Sequence, residues 1–117
     1  MDERDRDALT QMLRYSETAV GLLGERDAAA VTAEPRTFFA LSYVMQIVGE
    51  AASRVSAVVR TEFPEIPWRQ VVGMRHHLVH GYEDIDAAIL VSTVRQDLPR
   101  LIDSLAGKLG ERAGEKP

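Results

Sequence analysis

Apolar residues recur at steps of three and four along almost the whole chain, the period of helices that bury one face. Leu9, Met12, Leu13, Ser16, Ala19, Val20 and Leu23 form the first stripe, and Gly24 supplies a helix stop. Glu25 to Glu34 is Ala-rich but poorly patterned and reads as a loop with one loose turn. A second helix is expected from Pro35, where a missing N–H costs nothing. Leu41, Val44, Met45, Val48, Ala52, Val55 and Val59 carry its stripe to about Glu62. That spacing predicts a rod of roughly 40 Å.

Pro64 and Pro67 interrupt the pattern, because each lacks an amide donor and biases its predecessor away from the helical region. Pro67 then starts a shorter third helix with Trp68, Val71, Val72, Arg75, Leu78 and Val79, ended by Gly81. Asp86 is placed to cap a fourth helix. Leu90, Val91, Val94, Leu98, Leu101, Ile102, Leu105 and Leu109 supply its stripe, with Pro99 inside it as a kink. No strand-like alternation, internal repeat or low-complexity segment is visible. The expectation is an all-α up-and-down bundle of four main helices, one domain over 1–109, followed by a frayed polar tail over 110–117.

Composition narrows the function. The 117 residues are 45% hydrophobic and 27% charged, which fits one globular domain rather than two, or a disordered chain. No apolar run approaches the ~20 residues of a membrane span. The charged Met1-Asp2-Glu3-Arg4-Asp5 start lacks the apolar stretch of a signal peptide, so a cytoplasmic location is expected. Without cysteine there is no disulfide, thiolate nucleophile or cysteine zinc site. The net charge of -4 argues against a generally basic coat, but its distribution is uneven. Residues 1–34 carry eight acidic and four basic side chains, 35–82 three and five, and 83–117 seven and five. The middle section, at +2, also holds His76, His77 and His80, so an anion site belongs there.

The dense cluster is Arg75-His76-His77-Leu78-Val79-His80-Gly81-Tyr82. Its groups suit phosphodiester cleavage in RNA. A neutral imidazole can deprotonate the ribose 2′-OH for attack on the adjacent phosphate, and a guanidinium can hold the developing charge. The nucleophile belongs to the substrate, so no metal or other cofactor is required. Arg75 and His80 differ by about 140° around a helix and ~7.5 Å along it. They reach one phosphate if the helix ends near Gly81, or if a second copy faces the first. His76 and His80, four apart, could instead be a metal pair.

Arg75, His80 and Tyr82 also match the R-x4-H-x-Y signature of HEPN-domain proteins, and the chain resembles their HepT-like group. Ile47-Val48-Gly49-Glu50-Ala51-Ala52, Ile66-Pro67-Trp68, Gly73-Met74-Arg75, Asp84-Ile85-Asp86 and Asp97-Leu98-Pro99 with Leu101 extend the likeness from about Phe38 to Leu101. The resemblance implies a homodimeric endoribonuclease toxin whose site forms where the two signature helices meet. It makes Arg75 and His80 catalytic, with His76 and Glu50 in support. Its partner would be a minimal nucleotidyltransferase (MNT) antitoxin that silences it by placing AMP on Tyr82, a bulky anion beside the site. The family pattern fixes no role for His77 and does not cover Glu25 to Glu34. Two other readings compete: a non-catalytic nucleotide- or RNA-binding subunit working with a nucleotidyltransferase, and a hydrolase using metal at His76 and His80.

Overall fold

The computed structural model describes residues 1–80 and 86–109, with the side chains of 75–80 left aside. Helix α1 spans Glu3–Leu23, α2 Ala28–Ala33, α3 Pro35–Ser53, α4 Ala57–Arg60, α5 Trp68–His80, α6 Ala87–Ser92 and α7 Leu98–Leu109. A π-helical turn, Thr93–Asp97, joins α6 to α7. The described residues are all-helical, as the apolar period predicts. Helix α3 packs against both α1 and α5, and α7 lies along α1. Leu9, Met12, Leu41, Met45, Val48, Phe63, Val71, Leu90, Leu98, Leu101 and Leu105 fill the shared core at 0% exposure. Burial of these side chains, at roughly 1.5–3 kcal/mol each, is the main force holding the helices together. Met12 and Met45 lie in this core as the sequence places them, and Met74 is buried beside it. Val20, placed on the first stripe from sequence, is 37% exposed at its edge.

Local chemistry sets the helix ends. The Asp2 carboxylate accepts from the Asp5 N–H at 2.8 Å and starts α1. Gly24 ends it at φ +56°, a conformation that suits a residue without Cβ. The carbonyls left open at that end are taken up by arginines. Arg26 donates to the Leu22 oxygen at 3.1 Å, and Arg95, from the π-helical turn, to Gly24 and Arg26 at 2.8 and 2.9 Å. Arg26 is held in place by Glu34 at 2.9 Å.

Three sequence expectations are corrected. The stretch after Gly24 contains a defined helix, α2, capped by the Asp27 side chain on the Ala30 N–H at 2.9 Å. The long second helix stops at Ser53, and its last predicted turns form the separate α4. The cause is Ser56, whose N–H and hydroxyl donate to the Asp5 carboxylate at 2.8 and 3.0 Å while its oxygen caps the Val59 N–H. Pro99 lies near the start of α7, but the irregularity precedes it as a wider turn. The Leu98 N–H donates five residues back, to the Thr93 oxygen, which eases the clash between the proline ring and the Arg95 carbonyl. The predicted tail, 110–117, lies outside the described residues.

Candidate functional site

Helix α5 carries the reactive cluster, and its start is anchored tightly. The chain from Arg60 to Trp68 contains two prolines and no room for regular helix. It is closed by Phe63, buried at 0% exposure, with the Lys108 ammonium 5.5 Å from its ring centre. The Trp68 indole N–H donates to the Phe63 carbonyl at 3.1 Å, and the Arg60 guanidinium sits 5.3 Å from the indole centre. That guanidinium also donates to the Val55 and Ala52 carbonyls at 3.1 and 3.2 Å, closing the C-terminal end of α3. Trp68 therefore anchors the start of α5, and Arg60 is a second part of that anchor. Pro67 sits just before the helix, its carbonyl accepting the Val71 N–H at 3.1 Å.

From this anchor α5 runs unbroken to His80. Val71 and Met74 face the core at 0% and 6% exposure. Arg75, His76, His77 and His80 occupy the last two turns of the helix; their side chains lie outside the described residues, and Tyr82 lies outside them altogether. A continuous helix fixes the backbone register. His80 falls seven residues after Gly73, nearly on the same face, and Arg75 falls about 140° away from His80 around the axis. Glu50 lies on α3, exposed, with a carboxylate oxygen 3.8 Å from the Arg54 guanidinium. Among the described residues no group of three His, Asp or Glu side chains is arranged to hold a metal ion. No described helix is long and apolar enough to cross a membrane.

Two features of the described residues were not legible in the sequence. A groove of about 270 Å³ lies between α5 and the start of the last helical rod, lined by Gln70, Gly73, Met74, Ile89 and Thr93. The other is the buried Asp5 carboxyl, 6% exposed. The Ser56 backbone N–H, chiefly, holds it below the usual carboxylate range. Its position in a charged N-terminal run gives no hint of this, since the partner lies 51 residues away.

An all-helical bundle presenting an Arg- and His-rich helix defines a narrow class, and comparison with known proteins identifies it. The family model described as "Ribonuclease HepT-like" matches residues 7–106, and the chain belongs to that family, whose fold is the HEPN-type bundle. The chain is 37% identical over 68 residues to "Probable ribonuclease HepT" of Thermococcus cleftensis, covering 58% of this chain and 62% of that one. It is 35% identical over 63 residues to "Putative RNase MJ1380" of Methanocaldococcus jannaschii, covering 54% and 58%. A longer match, 24% identical over 102 residues, is to "Putative RNase MJ0125" of the same organism, covering 86% and 88%. The chain thus spans about three fifths of the first two relatives. No solved structure matches it.

Proposed function

We propose that this chain is a metal-independent endoribonuclease, the toxin of a HEPN/MNT pair. The observation that carries the reading is that Arg75 and His80 of the R-x4-H-x-Y motif share one continuous, well-anchored helix in a chain of the HepT-like family. His80 takes the proton from a ribose 2′-OH, and the oxygen attacks the adjacent phosphorus. Arg75 holds the phosphoryl oxygens as negative charge builds on them. The P–O5′ bond breaks, and the departing oxygen takes up a proton, leaving a 2′,3′-cyclic phosphate and a 5′-hydroxyl. DNA lacks the nucleophile and is not cut.

The 140° between the two side chains' positions supports a homodimer in which Arg75 of one copy works with His80 of the other. His76 and Glu50 support the site. Tyr82, two residues beyond His80, is the AMP acceptor of a nucleotidyltransferase antitoxin: its hydroxyl attacks the α-phosphorus of ATP and pyrophosphate leaves. Purified protein incubated with RNA tests the reading. Products bearing 2′,3′-cyclic phosphate, in the presence of chelator, are expected; intact RNA at all protein concentrations overturns it in favour of a binding subunit.

A further inference from the structure

The described residues that line the groove between α5 and α6 are uncharged and of two kinds. Met74 and Ile89 give it apolar walls, 6% and 52% exposed. Gln70 and Thr93 line it with an amide and a hydroxyl. The Thr93 hydroxyl donates to the Ile89 carbonyl at 2.9 Å, which leaves its oxygen lone pairs available as acceptors. Gly73 also lines it, and a Cβ added there would meet no atom within 4 Å. The volume of about 270 Å³ lies just under the range of about 300–1,000 Å³ that takes whole small-molecule ligands. It suits a single planar heterocycle.

Position and charge indicate what that heterocycle belongs to. Gly73 precedes His80 by seven residues on nearly the same helical face, which is about 10 Å along the axis. Helix α5 carries Arg69, Arg75 and three histidines and no acidic residue, in a chain whose net charge is -4. By register Arg69 and His80 fall within about 40° of Gly73 around the axis and Arg75 on the far side, so a polyanion following the Gly73 face would pass Arg69 and His80 and leave a neutral ring at the groove between them. We infer that the groove is a nucleobase subsite, taking an unstacked base of single-stranded RNA near the phosphate to be cut. The inference rests on the nuclease reading for the identity of the polymer. Apolar contact with Met74 and Ile89 holds the ring face, and the Gln70 amide, as donor and acceptor, meets its polar edge.

The test fills the groove without disturbing the core. Gly73→Val adds side-chain atoms where nothing stands in the way and keeps the helix. Wild type and Gly73→Val are titrated with a fluorescent single-stranded RNA and with the same backbone carrying abasic nucleotides, with helicity and sedimentation measured alongside. Wild type is expected to bind the base-bearing strand about tenfold tighter than the abasic one, the worth of one stacked base. In Gly73→Val that difference disappears while affinity for the abasic strand and the sedimentation coefficient stay unchanged. Equal preference in the two proteins overturns the inference, as does a change of oligomeric state in Gly73→Val, which makes the groove a contact between copies. Base-dependent binding by a wild type that cuts no RNA leaves the subsite standing and removes the nuclease reading alone.

Discussion

The Asp5 carboxylate accepts both hydrogen bonds that Ser56 can donate, at 2.8 Å from its N–H and 3.0 Å from its hydroxyl. One buried acid in the first turns of α1 thereby fixes the break between α3 and α4, and with it the path the chain takes to the α5 anchor.

The Asp5–Ser56 contact sets an acid limit on stability. The folded carboxyl sits below its ordinary value of 3.8, chiefly because the Ser56 N–H bonds to the charged form. Its stabilisation is therefore complete above the unfolded value and fades as pH falls through the lower, folded one. Asp5→Asn should melt several degrees below wild type at neutral pH. The gap should narrow below about pH 4. Thermal melts across the acid range check this, and parallel curves at all pH values contradict it.

Phe63 closes the loop that presents α5. Its full burial predicts a loss of about 3–5 kcal/mol for Phe63→Ala, through lost contacts and the cavity left behind. Denaturant unfolding measures it. A loss under about 1 kcal/mol would mean that the loop is not held by this ring.

Ser16 lies fully buried on α1, and its hydroxyl has no hydrogen-bond partner among the described residues. Ser16→Ala removes that oxygen and favours the helix, so unfolding free energy should rise by about 0.5–1 kcal/mol. Clear destabilisation would show that the hydroxyl is satisfied in solution.

The core was legible because burial follows the helical period: Leu9, Met12, Leu41, Leu98 and Leu105 are where the stripes put them. The break before α4 was not, because Val55 and Val59 keep the period and stay buried at 3% and 4% although the helix has already stopped at Ser53. Its cause is a long-range polar contact, which periodicity does not encode. Pro99 announced an irregularity but not its form, since the wider turn falls at the residues before it. The Arg75–His80 cluster could be read because its members are neighbours in the chain. The groove could not, because Gln70 and Thr93 come together only when α5 meets the rod that follows it.

Cooperation between copies predicts a specific complementation. Arg75→Ala and His80→Ala should each lower the rate of RNA cleavage by about 10²-fold or more. Neither dead variant alone regains activity on concentration. After the two are mixed and exchange subunits, half of the dimers are mixed, and each of these holds one site with both residues intact. Cleavage by the exchanged mixture should recover to about a quarter of the wild-type rate. A mixture that stays as inactive as its parents, with exchange verified by mass, contradicts a site shared between Arg75 of one copy and His80 of the other.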